Sequence, residues 1–100
     1  MDQTIEEKIK QRRAQMLVHS HLYYTLDTNI ITDDKWQTWA NELAELQNKN
    51  PNKCNINFFD KEFENWDGSS GAFLPLNCNY ATEKAKMLLE MQKTEEGFIG

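Results

Sequence analysis

Residues 21–43 read HLYYTLDTNIITDDKWQTWANEL, and within them Tyr23, Tyr24, Asp27, Asp33 and Trp36 fall close together. They supply two kinds of chemical group. Aromatic faces sandwich a flat ring, and carboxylates accept hydrogen bonds from an amide or from sugar hydroxyls. The same residues also serve structure: the aromatics pack one end of a helical hairpin, Asp27 stops one helix and Asp33 caps the next. Both readings require two helices that bring positions 23–24 beside positions 33–36.

The pattern supplies those helices. Thr4 followed by Glu7 is a capping-box signal, and Ile5, Ile9, Met16 and Tyr23 form a narrow stripe at helical spacing, which predicts a first helix running to about Leu26. The turn formers at 27–29 and the apolar pair Ile30 and Ile31 lead to Thr32 or Asp33 as the next cap. Trp36, Trp39, Ala40, Leu43 and Leu46 then form the buried face of a second helix, ended near Pro51. A short connection makes the two helices antiparallel. Phe59, Phe63 and Trp66, at i, i+4 and i+7, predict a short third helix over 56–66, and with Phe58 they should fill the space beside the hairpin. The DGSSG run at 67–71 reads as a flexible turn, and Pro75 blocks a helix. Asn79 or Thr82 caps a last helix containing Ala81, Ala85, Leu88 and Leu89, closing near Lys93. No segment alternates with period two, so the expectation is an all-α single domain over 1–100: a hairpin over 4–51 and a helical extension over 52–100.

Bulk properties exclude several classes. The chain has 100 residues and a net charge of −5, with 11 basic against 16 acidic groups, so a phosphate backbone repels it and general nucleic-acid binding is not expected. Cys54 and Cys78 lie far apart with no CxxC, which reads as two reduced thiols. The charged start MDQTIEEKIKQRR is no signal peptide, and no apolar run reaches the ~20 residues of a membrane helix. A cytoplasmic protein without membrane contact is the expectation.

The segment from about Ile5 to Pro51 resembles the N-terminal helical subdomain of bacterial NAD-dependent DNA ligases, the part that grips nicotinamide mononucleotide. The motifs are YYTLD, then IITDDKW, then ANELAELQNKNP. Tyr23 and Tyr24 match the family's aromatic pair, and Asp33 matches its nicotinamide-recognition aspartate. Trp36 replaces the stacking tyrosine and keeps a flat π-surface. Gln37 replaces a second aspartate, leaving an amide donor and acceptor, and Asn29 stands where a proline is usual. The resemblance implies a ligand site of Tyr23, Tyr24, Asp33, Trp36 and Gln37 for NAD, nicotinamide mononucleotide or a related signalling nucleotide. It implies no cofactor beyond that ligand. The lysine nucleophile of the family's K-x-D-G motif has no counterpart here, so no catalytic residue and no enzyme activity are expected. A stand-alone chain of this kind also resembles the ligase-related proteins of bacteriophages that infect Gram-positive hosts.

A second reading makes the chain a small acidic module that binds a nucleic-acid enzyme of its host, a ligase or a nuclease. Its surface is Asp60, Glu62, Glu64 and Asp67, which suit a basic groove. Other features are weaker. His19 and His21 point in different directions on a helix, so they form no metal pair, and His19 reads as a hydrogen-bonded neighbour of Tyr23. The basic run at 8–13 reads as a solvated helix face, from which Arg12 also has the reach for a phosphate. Ser69 and Ser70 lack a histidine at any recognisable spacing.

Overall fold

A computed structural model describes residues 3–28, 30–69, 71 and 74–99, with side chains through residue 91. Asn29 and Ser70 therefore lie outside the described residues. Three α-helices follow in order: α1 (Ile5–Tyr24), α2 (Asp33–Lys49) and α3 (Asn79–Ile99), with a short 3-10 helix at Pro51–Lys53. The described residues contain no strand, and none of their helices is long and apolar enough to cross a membrane.

The hairpin forms for the reasons its sequence supplies. Thr4 caps α1 by accepting the Glu7 N–H at 3.1 Å, and Thr32 caps α2 by accepting the Lys35 N–H at 3.1 Å. Between them the chain reverses at Asp27, whose φ of 50° lies in the left-handed region that aspartate tolerates better than most residues. The first helix accordingly stops at Tyr24, two residues before the expected Leu26. The core of the hairpin is Ile9, Met16, Leu17, Ala40 and Leu43, all fully buried. Trp39, like Trp36 and Leu46, packs against this core from a half-buried position at its edge. A second cluster of Val18, Leu22 and Ala85 seats α3 on the other side of α1. The cap of α3 is Cys78 rather than Asn79 or Thr82: its carbonyl accepts the Thr82 N–H at 3.0 Å and its sulfur accepts the Ala81 N–H at 3.5 Å. That helix also runs past the expected end near Lys93, to Ile99.

The predicted helix over 56–66 is absent. Residues 56–65 form bends and turns, because the Asp60 carboxylate competes for the backbone. It accepts the N–H groups of Ile56, Asn57 and Phe58 at 3.2, 3.0 and 3.3 Å. Asn57 and Phe59 sit at φ of 57° and 54°, which no helix accommodates. Phe63 and Trp66 nevertheless enter the hairpin core as expected, and Phe59 packs against it from a half-buried position. Phe58, also half-buried, stacks edge-on with Phe59 and Tyr80, with centroids 4.8 and 5.3 Å away.

One side chain ties this segment to α1. Arg13 follows Ile9 by four residues, so it lies on the buried face and is wholly inaccessible. Its guanidinium donates to the Gln47 side-chain oxygen at 2.9 Å, to the Phe58 and Cys54 carbonyls at 2.7 and 3.0 Å, and to Asp60 at 2.7 Å. Gln47 in turn donates to the Phe63 carbonyl at 2.8 Å. One of the four basic residues of the expected patch is therefore interior structure. Arg12 pairs with Glu42 at 2.7 Å and lies over the Trp39 ring, not free for a phosphate.

Two expectations follow. Trp66 is buried and donates its indole N–H to the Ala40 carbonyl at 2.9 Å, so Trp66→Ala should cost about 3–5 kcal/mol in urea unfolding. Trp39→Ala should cost clearly less, and equal losses would contradict the burial described. Burial alone would raise the Asp60 pKa, but the Arg13 hydrogen bond and the three backbone donors outweigh it and hold the carboxyl below its ordinary value. A carboxylate stabilised in the fold contributes above its unfolded pKa of about 3.9 and loses that contribution as pH falls through the folded value. Asp60→Asn should therefore lower the unfolding midpoint at pH 7, by a difference that shrinks as pH falls through the folded value.

Candidate functional site

The C-terminal turn of α1, the reversal at 25–32 and the first turn of α2 enclose a cleft of about 180 Å³. Tyr23, Tyr24, Asp33, Trp36 and Gln37 all line it. Asp27 does not; it makes the turn. Tyr23 and Tyr24 meet edge to face with centroids 4.9 Å apart, and each is about half exposed, at 47% and 45%. Trp36 is half-buried, backed by the Trp66 ring at 6.3 Å. Asp33 opens α2 directly after its Thr32 cap, and it is exposed.

Gln37 differs from its expected role. Its side-chain N–H₂ group donates to the Gly68 carbonyl at 2.8 Å and to the Asn41 side-chain oxygen at 3.1 Å. The donor expected for a ligand is spent inside the protein, which leaves the amide oxygen as the group Gln37 offers the cleft. The partner is the DGSSG loop, read from sequence as a flexible turn. Asp67 holds that loop by accepting the Ser69 N–H at 2.9 Å and the Ser69 hydroxyl at 2.6 Å. Gly68 has φ of 82°, and Gly71 lies so close to α1 that a Cβ there would sit 2.2 Å from the Ser20 hydroxyl and 3.3 Å from the Trp36 ring. The loop is thus a wall behind Trp36 and Gln37.

Five lining residues were not foreseen: His19, Thr28, Ile30, Ile31 and Thr32. His19 is one helical turn before Tyr23, and that spacing alone places it on the same face. Its ring packs on Trp39, with centroids 5.6 Å apart and planes inclined by 50°. Its Nδ1 is buried with no hydrogen-bond partner, rather than paired with Tyr23. Burial, then the charge of Lys35, lowers the His19 pKa.

The acidic set at 60–67 is less free than its composition suggests. Asp60 and Asp67 are engaged as described, and Glu62 and Glu64 remain exposed. Ser69 donates to Asp67, which gives it no nucleophile's environment. Among the described residues no group of His, Cys, Asp or Glu side chains is placed to hold a metal ion. Both cysteines are free thiols.

The cleft thus gathers two tyrosines, an aspartate and an indole at one end of the hairpin. Residues 2–57, more than half of the chain, match the family described as the DNA ligase-like, N-terminal NAD+-binding domain, and the chain belongs to that family. It is also 35% identical over 51 residues to a DNA ligase of Natranaerobius thermophilus, a stretch that covers 51% of this chain and 8% of the ligase. The chain thus spans a small fraction of that relative. No solved structure matches it.

The loop wall can be tested directly. Gly71→Ala should destabilise the fold by about 1–3 kcal/mol through overpacking against Ser20. Adding Ser20→Ala should recover much of that loss in a double-mutant cycle. Strictly additive effects would show that the loop does not press on α1.

Proposed function

We propose that the chain is a non-catalytic module that binds a nicotinamide nucleotide in the cleft between α1 and α2. The observation that carries this reading is that Tyr23, Tyr24 and Asp33, which match the family's motif, and Trp36 and Gln37, which stand at its positions with other side chains, line one cleft. The tyrosines and Trp36 offer flat faces to the nicotinamide ring. Asp33 accepts from its carboxamide or from ribose hydroxyls, and the Gln37 oxygen is a further acceptor. At about 180 Å³ the cleft holds a ring and part of a sugar, below the ~300–1,000 Å³ typical of enclosed ligand sites. Affinity should therefore be weak, in the range of about a micromolar to a millimolar.

Titration calorimetry with NAD and with nicotinamide mononucleotide tests the site: weak binding is expected, lost in Asp33→Ala, and silence at millimolar ligand would remove the reading. The absence of chemistry is tested separately. The 100 residues contain no K-x-D-G lysine, so incubation with labelled NAD should leave the protein unlabelled on a denaturing gel. A covalently labelled band would overturn it.

A second reading keeps a narrower footing. Glu62 and Glu64 are exposed on a chain of net charge −5, which suits contact with a basic protein such as a host ligase or nuclease, as a phage-encoded modulator would make. With Asp60 and Asp67 engaged internally, charge reversal at Glu62 and Glu64 alone is the discriminating variant. Loss of a stoichiometric partner in that variant, with Asp33→Ala retaining it, would favour this reading.

A further inference from the structure

We propose that His19 is a further ligand-facing residue of the cleft, and that its neutral ring is the condition for holding a positively charged flat ring there. This rests on the nicotinamide reading and adds a residue and a charge rule to it. A pyridine ring joined to ribose through its nitrogen carries a formal positive charge, so any cation in the cleft wall opposes it.

The geometry keeps His19 uncharged. Its side chain lines the cleft one turn before Tyr23 and also lines the apolar groove between α1 and α3. Nδ1 is the buried nitrogen, with no partner. In the neutral ring that nitrogen can be a bare lone pair, with the proton on Nε2. An imidazolium carries protons on both nitrogens, so protonation would bury an N–H with nothing to accept it.

The charges around the ring point the same way. From α2 come Lys35, whose ammonium lies 5.4 Å over the Trp39 ring that His19 stacks on, and Asp33 in the cleft wall. From α3 comes Lys84, in the wall of the shared groove beside the titratable Tyr80. On α1 itself the neighbours in the cleft are Tyr23 and Tyr24. Of these, the Lys35 charge is the one that opposes a protonated imidazole. Burial and Lys35 accordingly lower the His19 pKa. A ligand cation in the cleft should lower it further, because the bound state takes up fewer protons.

The probe is nicotinamide riboside, which has the cationic ring and no phosphate; the mononucleotide's own phosphate titrates near ~6 and would confuse the result. Affinity followed by NMR should be flat above pH 7 and fall as pH drops through the His19 pKa, below the ordinary ~6.5. The limiting slope is about tenfold per pH unit, as for one proton released on binding. In the native protein, saturating riboside should shift the His19 titration midpoint downward. His19→Gln, neutral at every pH, should bind equally at pH 5 and pH 8. The dihydro form of the riboside, whose ring is uncharged, should show a shallower pH dependence.

Binding that stays flat through the His19 midpoint measured by NMR, a midpoint unmoved by riboside, or an undiminished pH slope in His19→Gln would overturn this inference and leave the nucleotide site standing. No binding at millimolar riboside at pH 8 would overturn both.

Discussion

The structure depends on a buried guanidinium. Arg13 has no contact with water, and an uncompensated charge in that position costs several kcal/mol. Its acceptors come from three places: Gln47 on α2, the carbonyls of Cys54 and Phe58, and the Asp60 carboxylate. Satisfying it therefore dictates the path of the chain after the hairpin. Asp60 must turn inward, the backbone at 56–58 must wrap around it, and Phe63 is then carried to the core face below the guanidinium, 5.7 Å from its ring.

The cleft is a consequence of that path as much as of the hairpin. Once Phe63 and Trp66 are fixed, with the Trp66 indole bonded to the Ala40 carbonyl, the loop beginning at Asp67 emerges beside the first turns of α2. There the Gly68 carbonyl meets Gln37, and Gly71 meets Ser20 and Trp36. Both glycines are required by geometry, one by its φ and one by the distance to α1. Residues of the family-matched span line the open face of the cleft, while residues outside that span set its back wall.

The hairpin was legible in the sequence because its signals are local. Threonine caps, the 3.6-residue stripe and the turn at Asp27 each act within a few positions, and the motif order located the cleft residues. The second half was not legible, because its conformation is set at long range. Phe59, Phe63 and Trp66 have helical spacing, yet Asp60 offers the backbone a better acceptor and Arg13, far away in sequence, holds Asp60 there. Arginine in an apolar stripe reads as surface until its acceptors are known. The spent donor of Gln37 was hidden for the same reason, since its partner is a loop carbonyl 31 residues on. His19 is different: its position one turn before Tyr23 was available to periodicity and was passed over in favour of a local hydrogen bond.

The Arg13 cluster also bears on the order in which the chain assembles. Its hydrogen bonds close loops of 34, 41, 45 and 47 residues, whereas α1 and α2 meet across a short connection. Short closures are entropically easier, so the hairpin can be populated before the guanidinium finds its acceptors. Until it does, the hairpin carries a solvated arginine on the face that must later become dry. The step that commits this protein to its final form is thus the dehydration of one cation, completed by Phe58 and Asp60 just beyond the family-matched span.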